Sequence, residues 1–318
     1  MSQKALFFAL GALALAGCDN PTAPVTARPE AMAIGFQFPP VLRPVARIVF
    51  TSDRSGAPGY KEIYSMNPDG TGIVRLTNSP GYDGEPAGSP DGHKVAFASF
   101  RTGTYCCGVY VMSAIDGSGV VRLNDGRAPA WSPDGSKIAF TRYNSTGDDI
   151  YVMNAADGSG VVRLTTTAGN DNQPVWSPDG SKIAFSSGRD GFHNIYTMNA
   201  ADGSGVVRLT MDSAWTGDPA WSPDGSKIAF SSNVAPPWNS QIYVMNADGS
   251  GRHCLSNNTF WDTEPTWSPD GSKIAFTSRR DDPNGEIYVM SSADGSGVVR
   301  LTNDPAFDGE ASWGRPIY

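Results

Sequence analysis

Acidic and amide side chains recur at two positions of a repeated pattern along this chain. The first position directly precedes a site that is usually Pro, and its occupants are Glu85, Ala128, Gln173, Asp218, Glu264 and Glu310. The second lies two residues earlier and holds Asp83, Gly126, Asp171, Thr216, Asp262 and Asp308. Brought together, such carboxylates attract cations or a Lys/Arg-bearing segment, and they offer the oxygen ligands that Ca²⁺ prefers. Carboxylate pairs are also the residues that glycoside hydrolysis requires.

Enzyme signatures are otherwise missing from the sequence. The three histidines, His93, His193 and His253, lie in separate repeats at unrelated positions. The sequence has no Gly-x-Ser-x-Gly elbow and no Walker or Rossmann glycine pattern. A CxxC pair is also absent, which argues against a zinc site. We therefore predict no catalytic residue and no metal ligand, with no cofactor apart from the alternative of Ca²⁺ at the carboxylates.

The elements that position these residues are short β-strands. The segment Trp-Ser-Pro-Asp-Gly-Ser-Lys-Ile-Ala-Phe begins at Trp131, Trp176, Trp221 and Trp267, so it returns every 45 or 46 residues. An Ile-Tyr or Val-Tyr run and then an Arg-Leu-Thr-like run follow in each copy. Tight turns rich in Asp and Gly separate the runs. Each unit therefore predicts four strands, A to D, in one antiparallel blade, and repeats of this length are typical of propellers.

The two ends of the chain decide the number of blades. Ile48–Phe50 reads as strand B of the first blade, but no strand A precedes it. The missing strand matches Glu310–Trp313 at the other terminus. We predict an all-β, six-bladed β-propeller of four-stranded antiparallel blades, with its ring closed by the C-terminal strand. Closure of this kind removes exposed sheet edges.

The strand order sorts the connections onto two faces. The A–B and C–D turns share one face and are nearly identical in every copy, whereas the B–C and D–A loops share the other face and vary. Variation among copies indicates recognition, so we place a partner-binding channel mouth on the varied face. Its predicted residues are Asp83, Glu85, Asp171, Gln173, Asp218, Asp262, Glu264, Asp308 and Glu310, rimmed by Tyr82, Trp215, Trp238, Trp261 and Phe307. The tryptophans of strand A are predicted to pack between blades.

The repeat Trp-Ser-Pro-Asp-Gly…Ile-Ala-Phe…Ile-Tyr-Val-Met…Asp-Gly…Arg-Leu-Thr resembles the TolB-type six-bladed propeller family. The resemblance covers about residues 46–313. It implies the propeller fold and a protein-interaction role in the cell envelope, since TolB is the periplasmic component of the Tol-Pal system. TolB also carries an N-terminal α/β domain, whereas this chain has a Pro-rich tether before its repeats.

The N-terminal residues predict export and a lipid anchor. Residues 1–18 hold Lys4, an apolar run and Leu15-Ala16-Gly17-Cys18, which resembles a lipoprotein signal with Cys18 as the lipidated residue. Residues 19–45 read as a Pro-rich tether, and residues 46–318 as the propeller. An exported protein can form disulfides, and adjacent Cys106 and Cys107 are either bridged or reduced.

Composition restricts the class of partner. The formal net charge is −8, which argues against nucleic acid because phosphate contacts need a basic surface. We predict a monomeric, non-catalytic scaffold that is exported to the bacterial cell envelope and held at the inner or outer membrane by its lipid. It binds an envelope protein or peptide. The alternative is a propeller that binds or cleaves carbohydrate through the acidic, Trp-rich mouth.

Overall fold

The computed structural model describes residues 46–55, 60–101, 107–236 and 238–314, and within these ranges every regular element is a β-strand. The predicted Cys18, the tether at 19–45 and Cys106 lie outside the described residues. The chain turns sharply at Ser-Pro-Asp-Gly, between strands A and B, because the Asp side-chain oxygen accepts hydrogen bonds within the turn. In one copy the hydroxyl of Ser132 and the backbone N–H of Ser136 both donate to Asp134 (2.6 and 3.0 Å), and Gly135 adopts φ 71°.

The first half of the described chain forms blades 1, 2 and 3. Blade 1 contains β1 (Ile48–Ser52), β2 (Glu62–Met66) and β3 (Val74–Arg75). Blade 2 contains β4 (Asp83–Gly88), β5 (Lys94–Ser99), β6 (Gly108–Ser113) and β7 (Val121–Asp125). Blade 3 contains β8 (Arg127–Trp131), β9 (Lys137–Asn144), β10 (Gly147–Asn154) and β11 (Val162–Arg163).

The second half forms blades 4, 5 and 6 and a last strand. Blade 4 contains β12 (Asp171–Trp176), β13 (Lys182–Ser187), β14 (Asn194–Asn199) and β15 (Val207–Arg208). Blade 5 contains β16 (Thr216–Trp221), β17 (Lys227–Ser232), β18 (Gln241–Asn246) and β19 (His253–Cys254). Blade 6 contains β20 (Asp262–Trp267), β21 (Lys273–Ser278), β22 (Glu286–Ser291) and β23 (Val299–Arg300), and β24 (Asp308–Trp313) follows.

The C-terminal strand closes the ring, as the sequence predicted. The six sheets each have four strands, and blade 1 has the order β24-β1-β2-β3. Ile48 pairs with Trp313 and Ser52 pairs with Asp308 in antiparallel register. The N–H of Gly314 also donates to the carbonyl of Arg47 (2.8 Å). Both ends of the described chain therefore meet at the face that carries the A–B and C–D turns, which we call the uniform face.

The core of each blade is a repeated aromatic pair. A fully buried Phe from strand B faces a Tyr from strand C; the Phe residues are Phe50, Phe97, Phe140, Phe185, Phe230 and Phe276. The two ring centroids lie 5.7–6.0 Å apart in the six blades. Offset ring packing of this kind adds to the burial of apolar area. The same hydrophobic unit thus stabilises every blade.

The strand-A tryptophans join neighbouring blades, as predicted. The indole N–H of Trp131 donates to the carbonyl of Ala87 (3.1 Å), and that of Trp176 donates to Ala130 (3.2 Å) in the preceding blade. Gly88 replaces the Trp in blade 2, and its backbone N–H instead donates to the hydroxyl of Ser312 (3.3 Å). A cavity of about 20 Å³ remains beside Gly88, so this junction packs differently from the others.

Candidate functional site

A central channel of about 460 Å³ is lined by strand A of all six blades. The residue that precedes the Pro position has a left-handed backbone in every blade: Glu85, Ala128, Gln173, Asp218, Glu264 and Glu310 have φ between 48° and 57°. A β-bulge accompanies this residue, as between Gly84 and Ala87 in blade 2. Non-Gly residues rarely adopt this conformation. Because the left-handed conformation recurs in all six blades, it is a regular feature of the channel wall. We call these six residues the channel ring.

Side chains of the channel ring are hydrogen-bonded from one blade to the next. The carboxylate of Glu264 accepts a bond from the backbone N–H of Glu310 (2.8 Å), and Glu310 accepts one from the N–H of Glu85 (2.8 Å). Glu85 in turn accepts a bond from the N–H of Ala128 (2.7 Å). Thr277 of strand B also donates its hydroxyl to Glu264 (2.8 Å). The ring therefore crosses the closure between blades 6, 1 and 2.

The remaining part of the ring uses the amide of Gln173. Its side-chain oxygen accepts a bond from the N–H of Asp218 (3.1 Å), and its NH₂ group donates to the Asp218 carboxylate. The N–H of Glu264 lies 3.4 Å from the Asp218 carboxylate and 3.0 Å from the Ser231 hydroxyl. The circle is interrupted at Ala128, which has no polar side chain, so the N–H of Gln173 donates to Thr141 instead (3.2 Å).

Burial, and after it the proximity of other carboxylates, raises the pKa of three residues of the channel ring. Burial, and secondarily the negative charge of Glu310, raise the pKa of Glu85 to about 7. The same two causes in the same order raise the pKa of Glu264 to about 8, with Asp218 adding to them. Burial also raises the pKa of Asp218 above its ordinary value. The raised pKa values mean that Glu85, Asp218 and Glu264 hold protons more tightly than free carboxylates do.

The prediction that the second row of Asp residues faces the channel mouth is wrong. Each of these side chains is fully buried and pairs with an Arg from the B–C connection of its own blade. The pairs are Asp83 with Arg101 (2.7 Å), Asp171 with Arg189 (3.0 Å), Asp262 with Arg280 (3.1 Å) and Asp308 with Arg54. Residues two apart in a regular strand point to one side, but the bulge and left-handed residue turn the ring side chain away.

Each of these arginines also covers the aromatic core of its blade. The guanidinium of Arg189 lies 5.1 Å from the ring centroid of Phe185 and 5.0 Å from that of Tyr196. Cation–π contact and the buried carboxylate together fix the end of the blade. These Asp residues therefore have a structural role.

The predicted rim aromatics divide into inner and outer groups. The hydroxyl of Tyr82 lies 3.2 Å from a carboxylate oxygen of Glu310, and Lys61 lies 3.5 Å from the ring centroid of Phe307. Trp215 is half-buried. Trp238 and Trp261 are 60% and 45% exposed. Among the predicted rim aromatics, Trp238 and Trp261 are therefore the two with strongly exposed side chains.

Sequence reasoning missed several exposed aromatics on the same face. The described residues with strongly exposed aromatic rings are Tyr60, Phe100, Tyr143, Phe192, Trp238, Phe260 and Trp261. All seven lie in, or at the end of, the B–C or D–A connections. We call this face the variable face. A comparison of the B–C connections across the copies would have found most of them, because an aromatic residue outside the repeated pattern stands in or beside five of the six connections.

The described histidines do not assemble a catalytic site. His193 lies 3.1 Å from the hydroxyl of Ser186, but Ser186 is only 1% exposed and also donates to the carbonyl of Thr216 (3.3 Å). A nucleophile that substrate cannot reach does not support acyl transfer. Among the residues that the structure describes, no group of three or more His, Cys, Asp or Glu side chains is arranged to hold a metal ion. Ca²⁺ binding stays a prediction.

Within the described ranges, no helix has the length and apolar character needed to cross a bilayer. Cys254 carries a free thiol. Cys106, and with it the predicted choice between a Cys106–Cys107 bridge and reduced thiols, lies outside the described residues.

Comparisons with known proteins agree with this architecture. A protein TolB homolog of Chlorobium luteolum is 45% identical over 58 residues, which are 18% of this chain and 13% of that protein. The crystal structure of TolB from Acinetobacter baumannii superposes with a TM-score of 0.74 at 25% identity, covering 85% of this chain and 66% of that one. The chain thus matches less than two thirds of the length of these relatives.

The propeller fold also occurs in enzymes. A puromycin-hydrolyzing peptidase of Mycobacterium tuberculosis superposes with a TM-score of 0.56 at 15% identity, over 76% of this chain and 41% of that one. This likeness shows the fold alone. The family model of the TolB beta propeller domain matches residues 124–233 and 212–315. Together with the six-bladed ring and its closure, this match shows that the chain belongs to the TolB beta propeller domain family.

Proposed function

We propose that this protein is a non-catalytic scaffold of the bacterial cell envelope that binds another protein through its variable face. The observation that carries the proposal is that every strongly exposed aromatic ring of the described residues lies on that face. Aromatic residues are enriched in protein interfaces, where they supply large contact areas. Family membership supports protein interaction at a coarse level.

The channel ring supplies electrostatic complementarity to this face. Glu85, Asp218, Glu264 and Glu310 line the channel from four blades, and the whole chain has a formal net charge of −8. A partner with Lys or Arg side chains is favoured because a cation beside these carboxyls stabilises their ionised forms, which burial and mutual repulsion otherwise disfavour. We therefore propose a basic segment of an envelope protein or peptide as the binding partner.

The position of the chain ends favours a particular orientation. Arg47 and Gly314 are hydrogen-bonded to each other at the uniform face, which is opposite the variable face. Lipidation of Cys18, which the sequence predicts, would put the anchor on the N-terminal side of Arg47 in the sequence. We propose that the variable face then points away from the membrane and towards the partner.

Site-specific photocrosslinking in cells tests the proposal. A photoreactive residue at Phe192 or Tyr143 on the variable face should capture a defined protein. Matched probes at Val162 and Val207 occupy the outer strands and are similarly exposed, at 53% and 51%. Capture of the same species from all four positions, or from none on the variable face, would exclude this face as the interaction surface.

A further inference from the structure

We call the arginine that covers the Phe–Tyr pair of a blade its structural arginine. In blade 5 this residue comes from a different segment than in the neighbouring blades. Blades 1, 2, 4 and 6 take this Arg from the B–C connection, but Val234 occupies the equivalent position in blade 5. Arg252, which directly precedes β19, takes over instead, with its guanidinium 5.2 and 4.6 Å from the centroids of Phe230 and Tyr243. It pairs with Asp212 at 2.6 Å. The B–C connection of blade 5 is thereby released from a structural contact.

The released connection carries Trp238 in an unfavourable setting. Its ring is 60% exposed and its backbone has φ 68°. A left-handed backbone disfavours a bulky side chain, and an exposed ring recovers little free energy from burial. Packing within the chain therefore does not explain why a Trp occupies this position.

Two further exposed aromatic residues lie in the neighbouring connection. Phe260 and Trp261, 43% and 45% exposed, belong to the D–A connection that leads into β20. The side chain of Asn239 donates to the carbonyl of Thr259, and the Gln241 amide donates to the carbonyl of Phe260 (2.6 Å). These bonds tie the two connections together. We call Trp238, Phe260 and Trp261 the aromatic patch.

The Gln241 and Asn258 side chains beside the aromatic patch are already hydrogen-bonded within the protein, and the hydroxyl of Ser240, which has no partner among the described residues, is buried where a ligand cannot reach it. The Gln241 side-chain oxygen accepts bonds from the Ser256 hydroxyl (3.0 Å) and the N–H of Asn258 (2.9 Å). The Asn258 side chain donates to the carbonyl of Ser256 (3.0 Å) and accepts from the N–H of Phe260 (2.7 Å). A sugar needs directional polar partners as well as an aromatic surface, whereas an apolar side chain needs only the rings. The patch thus favours an apolar side chain.

Charge defines the rest of the partner. Trp261 precedes Glu264 of the channel ring by three residues, which corresponds to about 10 Å of extended chain. We propose that the aromatic patch binds an apolar or aromatic side chain of an extended peptide segment whose Lys or Arg, two to four residues away, lies at the channel ring. This inference rests on the proposed function and specifies the partner's chemistry.

Selection from a random peptide library tests this partner chemistry. Phage-displayed random dodecapeptides are panned on the full-length protein, and selected sequences are synthesised with a fluorophore for affinity measurement. The selected peptides should combine an apolar or aromatic residue with Lys or Arg two to four positions away. Their affinity should also fall as salt is added, because salt screens the cation–carboxylate attraction. Selection of no peptide, or of acidic or purely polar peptides, would overturn the proposal.

Variants of the patch separate binding from folding. Trp238→Gly and Trp261→Ala should each lower the affinity for the selected peptides at least tenfold, as expected for an aromatic anchor that becomes buried in the complex. Glycine tolerates the left-handed backbone, so Trp238→Gly should leave the thermal unfolding midpoint unchanged or raise it. Tyr143→Ala is the matched control, because Tyr143 is 76% exposed on the same face of blade 3. Unchanged peptide affinity in both Trp variants would refute the patch.

The outcomes distinguish this inference from the proposed function. If variable-face crosslinking captures a protein while the Trp variants bind the selected peptides normally, only the patch assignment fails. If the Trp variants instead lose binding to neutral oligosaccharides tested in parallel, the ligand is a glycan and the peptide proposal fails. If crosslinking captures nothing from the variable face, the proposed function itself fails.

Discussion

Neutralising Glu264 should make the propeller more stable at alkaline pH. Its carboxylate accepts bonds from Thr277 and from the N–H of Glu310, both at 2.8 Å. Glu264→Gln retains a side-chain oxygen that can accept these two bonds and removes the negative charge. Burial, with the charges of Glu310 and Asp218 added, raises the pKa of Glu264 from 4.5 to about 8. The folded protein therefore binds this proton more tightly than the unfolded chain does.

The sign of the pH dependence follows from this raised pKa. Stability from the protonated group is fully present below the unfolded value of 4.5 and is lost as pH rises through about 8. One proton changes the free energy of unfolding by at most about 1.4 kcal/mol per pH unit. Screening by channel water reduces this, so we expect a loss of about 1–2 kcal/mol between about pH 5.5 and pH 8. This corresponds to about 3–6 °C in Tm.

Calorimetry or circular-dichroism melting of wild type and Glu264→Gln across this pH range tests the expectation. The variant should melt above wild type at about pH 8 and show a flatter pH profile, with a residual slope from Glu85 and Asp308, because burial raises their pKa values to about 7 and about 6. Asp224→Asn on the uniform face is the control, because hydrogen bonds from Ser222 and then Ser226 lower the pKa of Asp224 to about 2. It should not change the slope in this range. A variant that melts below wild type at pH 8, or a flat wild-type profile, would refute the reasoning.

Three further predictions concern stability. Truncation before Glu310 removes most of β24 and should abolish the cooperative melting transition, so an unchanged midpoint would contradict closure of the ring. Arg189→Ala leaves Asp171 buried without its partner and should lower the free energy of unfolding, measured by denaturant titration, by about 3–5 kcal/mol. Arg122→Ala removes a more exposed ion pair and should lower it by less than about 1 kcal/mol. Trp131→Ala removes a ring and an indole hydrogen bond between blades 2 and 3 and should cost about 3 kcal/mol; a loss below about 1 kcal/mol would show that the indole does not join the blades.

The repeat made the fold accessible from the sequence. In the repeated units a tight Ser-Pro-Asp-Gly turn precedes strand B. The unit that begins at Ile48 lacks a strand A and therefore requires the complementary strand that ends at Trp313. The turn motifs are local, and the number of repeats can be counted, so both can be recognised from the sequence without the tertiary structure. The packing role of Trp131 and Trp176 was predictable for the same reason, since the same template position carries a Trp in five of the six blades.

The two rows of carboxylates show where sequence reasoning stopped. Asp83 and Glu85 are two residues apart and look equivalent in sequence, yet Asp83 is buried against Arg101 while Glu85 lines the channel. The bulge and the left-handed backbone at Glu85 decide this difference. Their cause is non-local, because the conformation is held by hydrogen bonds from the neighbouring blade.

The aromatic residues of the variable face show the same limit. Composition and loop position identified Trp238 and Trp261 as rim residues, but Tyr82 and Phe307 turned out to contact Glu310 and Lys61. The transfer of the structural arginine to Arg252 was invisible in the sequence pattern. Sequence alone determined the number of blades, the closure and the variable face, because these follow from periodicity. Only the tertiary structure decided which side chains reach solvent, because that depends on contacts between blades.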